Sequence, residues 1–422
     1  TFVRDDRDPY QGEDSKTVGE DGDPNYFPYV TIFDGAGRIT FGSERFSTAN
    51  ALDQNVITIT DNLEIYKGRH NITIGTHNEF FSVYNLFIRE NYGVYEYSDL
   101  DDFLGDSLPA EFSRSYSLVD DVTGDGSNAA SEFSGAQFGV YLQDEFQVNE
   151  NFKLTGGVRV DVPVYFTDQP ENTGFNTNTV PLLEDAGYDL LGARTGQFID
   201  PQFLISPRVG FNWNVNGANQ TQVRGGFGWF SSRIPLVWPG GAFNNNGTVV
   251  GGDFTTSVRD DWFRPYTQFQ PDWRNQPQAV AAGAGDPSGQ IDLFASDFKV
   301  PRIFKANLAI DQKLPWGLIG SFEVLYNQTL QGVAYQNLNL KPSTETLEGT
   351  GDNRPIYDRR DEIDDTYSRI MLGYNVQQGY TYNVSVSLTK PFDNGLSGTV
   401  AYSYGDAFAV FDGTSSQNSS QW

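Results

Sequence analysis

Regular alternation of apolar and polar side chains is the feature that most constrains the fold of this chain. In residues 136–148 the even positions are almost all apolar and the odd positions are polar or small, and residues 152–164 repeat the pattern. Successive side chains of a β-strand point to opposite faces, so this alternation predicts strands with one apolar and one polar face. The residues between the two segments, Asn149, Glu150 and Asn151, predict a hairpin turn.

The same pattern recurs in five pairs of segments, each pair joined by a short turn. The predicted pairs are 55–66 with 71–84, 136–148 with 152–164, 205–215 with 221–230, 304–310 with 318–326, and 380–388 with 396–404. A further short strand is predicted to end near Arg7. Four long segments separate the pairs, at about residues 85–134, 165–204, 232–300 and 331–377. Short turns alternating with long loops are typical of transmembrane barrels, whereas a soluble sandwich seldom needs four such loops.

The composition excludes several kinds of chemistry. The chain has 422 residues, with 28 Lys and Arg against 55 Asp and Glu, which gives a net charge of −27. This charge argues against nucleic acid as a partner. The absence of cysteine excludes disulfides and thiolate chemistry. No apolar run approaches the ~18 to 20 residues of a membrane helix, but a transmembrane strand needs only about 9 to 11 residues.

We therefore predict an all-β fold, a transmembrane antiparallel β-barrel with short periplasmic turns and long extracellular loops. The apolar strand faces would contact outer-membrane lipid, and the polar faces would line the lumen. The ten predicted strands could close a small barrel or form part of a larger one. The alternative is a large soluble all-β protein whose apolar strand faces pack against each other.

Four ordered segments carry motifs of one known family. The segments are Gln137–Phe146 followed by Leu154–Asp161, which is similar to YxQDEW…LTLxxGLRYD; Ser206–Phe211 followed by Arg224–Phe230, similar to SPRxGF…RGGxGxF; Ala306–Gly317, similar to NLAVDQxLPxG; and Leu388–Phe392 with Gly395-Leu396, similar to LTKxFxxGL. In this order they resemble the hairpins of TonB-dependent outer-membrane receptors, and the third resembles the Oar-like branch found in Bacteroidetes-type bacteria. The likeness follows essentially the whole chain.

The resemblance implies a 22-stranded barrel of the outer membrane, filled by an N-terminal plug and energised by the TonB, ExbB and ExbD complex of the inner membrane. Neither a TonB box nor a plug is recognisable in this sequence. We therefore expect residues 1–422 to be the barrel segment of a longer receptor, with the plug outside this chain. A surface lipoprotein is a further candidate partner.

The function that the resemblance implies is that of a transporter or receptor, which takes up or moves a ligand and uses its long loops as a gate. It implies no enzymatic activity and requires no cofactor. Two alternatives stay open. One is a surface structural or adhesion protein that displays loops on a barrel, and the other is a secreted soluble β-protein that binds polysaccharide.

The first long loop contains a match to an EF-hand-type calcium loop. Asp121, Thr123, Asp125, Gly126 and Glu132 occupy positions 1, 3, 5, 6 and 12 of that motif. Oxygen ligands at every second residue, with a glycine at the sharp turn, suit Ca²⁺. Helices do not obviously flank the segment, so an acidic solvated loop is the alternative.

The third long loop is rich in aromatic residues that are candidates for ligand contact. They are Trp238, Trp262, Phe263, Tyr266 and Trp273. Rigid aromatic surface beside polar groups suits sugars or peptides. The alternative is that these side chains pack the loops on one another above the barrel.

Two further sets of residues have structural interpretations. Gly225, Gly226 and Gly228 lie inside a predicted strand without a following helix, where glycine lets neighbouring backbone or a plug approach closely. His70 at a turn and His77 in a strand are the only histidines. They leave no material for a His-based triad or a multi-histidine metal site.

Overall fold

The computed structural model describes residues 2–7, 17–18, 24–25, 27–120, 126–215, 217, 220–256, 268–276, 289–347, 351, 353–357, 361–393 and 395–410. Its strands are β1 (Phe2–Arg7), β2 (Thr17–Val18), β3 (Pro24–Asn25), β4 (Tyr29–Asp34), β5 (Gly37–Phe41), β6 (Asn50–Lys67), β7 (His70–Phe87), β8 (Val94–Tyr97), β9 (Glu111–Ser117), β10 (Ser131–Asn149), β11 (Phe152–Tyr165), β12 (Leu204–Asn214), β13 (Thr221–Ser231), β14 (Val250–Thr256), β15 (Gln290–Phe294), β16 (Arg302–Lys313), β17 (Ile319–Asn337), β18 (Glu345–Thr346), β19 (Pro355–Ile356), β20 (Arg369–Val376), β21 (Tyr380–Asp393) and β22 (Leu396–Phe408).

Helices are short in the described part of the chain. The α-helices are α1 (Leu100–Leu104), α2 (Val180–Asp185) and α3 (Val237–Asn244), and single turns of 3₁₀ or π-helix occur at Ser127–Ala129, Phe175–Thr179, Trp273–Asn275 and Pro315–Gly317. None of the described helices is long and apolar enough to cross a membrane.

Eleven of the thirteen strands of the main sheet form one antiparallel path. Their order is β1-β6-β7-β10-β11-β12-β13-β16-β17-β21-β22. The five predicted hairpins are confirmed, and so is the short strand that ends at Arg7. Strands β6, β7, β10 and β17 are longer than predicted, at 18 or 19 residues each. Because a membrane strand needs only about 9 to 11 residues, these strands extend beyond the bilayer.

The hairpin turns lie at one end of the main sheet, and two of them show residues with left-handed backbone at the point of reversal. Gly68, with φ of 62°, is the first of the two residues that join β6 to β7, where a tight hairpin favours glycine. Trp316, with φ of 62°, and Gly317, with φ of 71°, reverse the chain between β16 and β17. These short turns fix the register of each pair, and with it the face to which every side chain points.

The long connections lie at the opposite end, where they fold. We call the described residues of 27–49, 88–130, 166–203, 232–301 and 338–379 the cap. The sequence analysis treats the last four of these segments as loops, but the structure shows a second, five-stranded sheet that three of the five segments build, with the order β14-β9-β8-β4-β5. The parallel pair β15–β20 continues from the end of β17. The cap is therefore a folded layer.

The apolar cores of the described chain lie mainly in the cap. One cluster covers the five-stranded sheet and contains Val30, Ile32, Tyr95, Tyr97 and Phe112. Two others lie around β15 and β20, one with α2 and one with α3. Membrane strands expose their apolar face to lipid, so their stability does not require such a core.

This packing raises the pKa of two titratable groups in the five-stranded sheet. Burial and the facing carboxylate of Glu111 raise the pKa of Glu96, since the two residues lie opposite each other on β8 and β9. Burial, with a smaller effect of Asp106, raises the pKa of Tyr97 to about 12. Both groups therefore favour their neutral forms, as expected in a packed layer.

Candidate functional site

The main sheet presents one apolar and one polar face. Ile57, Leu63, Val140 and Phe227 are 65, 59, 57 and 56% exposed on the apolar face. Continuous exposed apolar surface of this kind is costly in water and fits contact with lipid. The polar face is therefore the face on which charged and polar groups are available for binding.

A recess interrupts the polar face at the centre of the sheet. The register places Gly157 of β11, Arg208 of β12, Gly228 of β13 and Lys305 of β16 side by side in one row across four strands. Two residues further along, Gly210 and Gly226 form a second row with Asn307. Three of these glycines, Gly157, Gly210 and Gly226, line a cavity with a volume of about 430 Å³.

Close approach of neighbouring strands accounts for two of these glycines. A Cβ on Gly226 would lie 2.7 Å from the carbonyl oxygen of Val209, and one on Gly228 would lie 2.9 Å from that of Pro207. The predicted role of Gly226 and Gly228 in close backbone approach agrees with this geometry. Gly210 differs, because a Cβ there would meet nothing nearer than the carbonyl oxygen of Gly225, at 3.6 Å. Its missing side chain therefore leaves open space in the recess.

Two cationic side chains and one aromatic ring border the recess. Arg208 Cζ lies 4.4 Å from the centroid of the Phe230 ring, and Lys305 Nζ lies 5.6 Å from the same centroid. Both cations are exposed to the cavity. Among the described residues, neither has an ion-pair or hydrogen-bond partner. Their charges consequently remain available.

Three other cations on the polar face are paired, which distinguishes them from Arg208 and Lys305. The pairs are Arg159 Nη2–Asp161 Oδ1 at 2.7 Å, Lys153 Nζ–Glu145 Oε2 at 3.1 Å and Arg224 Nε–Asp311 Oδ2 at 3.3 Å. In these pairs each cation has a carboxylate within ion-pair distance. At the recess, no described carboxylate lies within ion-pair distance of Arg208 or Lys305.

Helix α3 crosses the polar face at the cap end. Its Phe243 ring stacks on Phe133 of β10 at 5.2 Å between centroids, and its Trp238 ring meets Tyr335 of β17 edge-on at 5.7 Å. The hydroxyl of Ser131 also donates to the carbonyl oxygen of Gly240 at 2.7 Å. The helix therefore bridges two strands that are not neighbours, above the strands that carry the recess.

An ion pair holds the segment that leads into α3. Arg233 donates to both carboxylate oxygens of Glu79 on β7, at 2.5 and 3.3 Å. Glu79 is only 13% exposed, and His77 Nε2 lies 3.5 Å from it. The two-point contact fixes the orientation of the guanidinium, so it ties the segment after β13 to a distant strand.

Arg233→Gln should loosen α3 without unfolding the barrel. Half of the Arg233 side chain is exposed, so the pair contributes about 1 kcal/mol, equivalent to about fivefold faster exchange of the α3 amides. Hydrogen exchange measured by mass spectrometry on the detergent-solubilised protein would show this change. Arg194→Gln, which removes the pair of Arg194 with Glu184 in the cap, serves as the control. Unchanged exchange in residues 233–245 would contradict the assigned role.

The predicted calcium loop lies largely outside the described residues. Asp121, Thr123 and Asp125 are not described, and Glu132 is exposed at the start of β10. In the part of the chain that the structure describes, no group of three or more His, Asp or Glu residues could hold a metal ion. Calcium binding at residues 121–132 stays a prediction.

The aromatic candidates divide in the same way. Trp262, Phe263 and Tyr266 lie outside the described residues, whereas Trp238 and Trp273 are 6 and 7% exposed. Trp238 packs in the cluster around α3, and the Trp273 ring lies 5.5 Å from Arg114 Cζ. These positions fit the alternative in which aromatic residues pack the loops together. Ligand contact by any of the five stays a prediction.

The sequence analysis did not select Arg208, Phe230 or Lys305 as site residues. The alternation places each of them on the polar face, but it does not show that the three strands align in one row. Glycines at the even positions 226 and 228, between Arg224 and Phe230, are the signal in the sequence that could have located the recess.

Comparisons with known proteins place this geometry in context. The family model of the outer membrane beta barrel domain matches residues 4–422. No curated protein matches the chain. Three solved structures are similar: the outer membrane transporter YddB from Escherichia coli (11% identity, TM-score 0.48, 91% of this chain and 38% of that chain), a mutant of the ferric enterobactin receptor PfeA from Pseudomonas aeruginosa (11%, 0.43, 89% and 37%) and the FrpB iron transporter from Neisseria meningitidis (11%, 0.43, 85% and 37%).

This chain spans less than two fifths of the length of each of those proteins. At TM-scores below 0.5, the three likenesses support no conclusion about ligand or mechanism. The family match covers nearly the whole chain and carries the assignment of fold and location.

Proposed function

Because the chain belongs to the family of outer-membrane β-barrel domains, we propose that it forms wall and cap of a transporter that moves a ligand through its lumen. Its location is the outer membrane. The observation that carries the proposal is the combination of an exposed apolar face with a polar face that contains a positively charged recess and is crossed at one end by α3. A lipid-facing wall alone would need neither the recess nor the bridging helix.

The described strands are proposed to be part of a larger closed barrel. Among the described residues, β1 pairs only with β6 and β22 pairs only with β21. Open edges in lipid leave backbone groups without hydrogen bonds, so an outer-membrane sheet has to close. We propose that residues 1–422 belong to the barrel of a longer receptor, and that further strands and a plug complete it.

Energy coupling to the TonB, ExbB and ExbD complex is proposed from the four ordered hairpin motifs. The plug would make the contact with TonB, and the cap would act as the gate for the ligand. A surface lipoprotein over the cap is a further proposed partner. We propose no catalytic step and no required cofactor, with calcium at residues 121–132 as an addition that the transport function does not need.

The two alternatives fare differently. A secreted soluble polysaccharide-binding protein does not agree with membership of an outer-membrane family. A barrel that only displays its surface agrees with the family and with the folded cap. The two surviving functions differ in one property, because a transporter contains a plug that can be removed from the lumen.

Conductance measurements on the full-length native protein test the proposal. In planar lipid bilayers with potassium chloride, the intact protein should conduct poorly, and urea that unfolds the plug should open a large and reversible channel. The purified periplasmic domain of TonB should also bind the full-length protein. A protein that shows neither a urea-dependent channel nor TonB binding would be a display barrel, and the transporter proposal would be wrong.

A further inference from the structure

We propose that the recess between Arg208 and Lys305 binds the anionic group of a small solute, which makes the ligand class of the transporter anionic. The choice of ligand rests on the proposed function, but binding in the recess can be tested without transport. Carboxylate and phosphate groups share the required chemistry. Three features of the recess support this inference.

The first feature is charge. The chain has about two acidic residues for each basic one, yet Arg208 and Lys305 are left without a described carboxylate partner. On the same face, Arg159, Arg224 and Lys153 each have one. Contact with the Phe230 ring attracts a cation without neutralising it. A bound anion would add an attractive interaction with both cations.

The second feature is position. Arg208 and Lys305 lie on either side of Gly228 in one row, and both cations approach the ring of Phe230. An anion in the recess beside this ring could accept hydrogen bonds from both cations. Bonds between an ionised donor and an ionised acceptor are about twice as strong as neutral ones, and a guanidinium can bind a carboxylate or phosphate through two parallel bonds.

The third feature is the shape and lining of the cavity. A volume of about 430 Å³ matches sites for small molecules. Gln143, Asn307 and Asn327 add amide groups to the lining, and Phe230 adds an apolar surface. This combination suits a small anion that also carries an apolar or planar part. A macromolecule would not fit in the recess.

Benzene-1,3,5-tricarboxylate is a suitable probe because it carries three carboxylates on one planar ring. Isothermal titration calorimetry on the full-length protein in detergent should detect its binding, with affinity that falls as salt is raised. The neutral benzene-1,3,5-tricarboxamide should not bind. The double variant Arg208→Gln/Lys305→Gln should lower the affinity at least ~tenfold, in keeping with the loss of two charge-assisted contacts.

Matched control variants exist for both charge and shape. Arg224→Gln removes a paired cation from the same face and should leave the affinity within about twofold. Gly210→Leu should fill the recess, since a Cβ at Gly210 is accommodated, and should abolish binding with both cations still present. Gly156→Leu adds the same side chain to the opposite face, where a Cβ meets nothing within 4 Å, and should bind normally.

The outcomes separate this inference from the proposed function. Equal affinity in wild type, double variant and Gly210→Leu would overturn the anion site, whatever the conductance experiment shows. Binding that appears only after deletion of the plug, with release of the plug in the double variant, would assign the recess to plug docking and also overturn it. Probe binding by a protein that shows neither a urea-dependent channel nor TonB binding would support the anion site and contradict transport.

Discussion

Lysine in place of Leu142 should prevent stable insertion of the barrel, whereas lysine in place of the next residue, Gln143, should not. Leu142 is 47% exposed on the apolar face, opposite Ile74 of β7 and Val158 of β11. The exposed apolar residues on this face of β10 are Phe138, Val140 and Leu142, and Asp144 and the half-buried Phe146 follow them towards the hairpin turn. A lysine near the middle of the bilayer costs about 2 to 4 kcal/mol.

Gln143 provides a control at nearly the same depth. Its side chain points to the polar face and lines the recess, so a lysine there stays in a polar environment. We expect Gln143→Lys to change the free energy of unfolding by less than ~1 kcal/mol. Leu142→Ala completes the set, because it removes apolar surface without adding charge.

Equilibrium unfolding in urea with lipid vesicles, followed by gel electrophoresis without boiling, measures the difference. Loss of the heat-modifiable band in Leu142→Lys alone would confirm that the apolar face contacts lipid. Equal losses for the lysine variants at positions 142 and 143 would contradict the assignment of the two faces. That result would favour a fold in which a second protein layer packs on the apolar face.

The strand pairs could be predicted because their information is local. Alternation at 136–148 and 152–164, with a turn between, anticipates the observed β10 and β11 to within about five residues. Each hairpin is also contiguous in the chain, so its pairing requires no knowledge of the remaining sequence. The same holds for the turn at Gly68, where tight hairpin geometry favours glycine.

The cap could not be predicted because its contacts join distant segments. Strand β4 pairs in parallel with β8, whose residues follow about 65 positions later in the chain. Strand β15 pairs in parallel with β20, about 79 positions later. These strands are short, at four to eight residues, and most are buried on both faces, which removes the alternating signal.

The recess could not be predicted for a related reason. Alternation places Arg208 and Lys305 on the polar face, but only the register of two successive strand pairings brings them to either side of Gly228.

Replacing Arg114 by leucine should release the segment around Trp273 from the cap. Arg114 is 1% exposed on β9; its Nε donates to the carbonyl oxygen of Asn91 at 3.1 Å and its Nη1 to that of Trp273 at 2.9 Å. Leucine fills part of the space but leaves both carbonyl groups without these donors. An unsatisfied buried group costs about 1 to 3 kcal/mol, so we expect local stability to fall by about 3 kcal/mol.

Hydrogen exchange in residues 89–97, 111–117 and 268–276 would measure this loss. About 3 kcal/mol corresponds to exchange that is roughly a hundredfold faster when local opening governs it. Arg194→Leu is the matched control, since Arg194 is partly exposed and pairs with the exposed Glu184. The control should change exchange by less than about fivefold.

A second variant, Trp273→Leu, separates two roles for Trp273. If its ring contributes mainly to packing, Trp273→Leu should speed exchange in the same three segments, because the guanidinium of Arg114 then loses the ring 5.5 Å away. The heat-modifiable band should persist in both variants, since the five-stranded sheet of the cap is separate from the membrane strands. If exchange is unchanged in Trp273→Leu and ligand binding is weaker, Trp273 would instead be a residue that contacts the ligand.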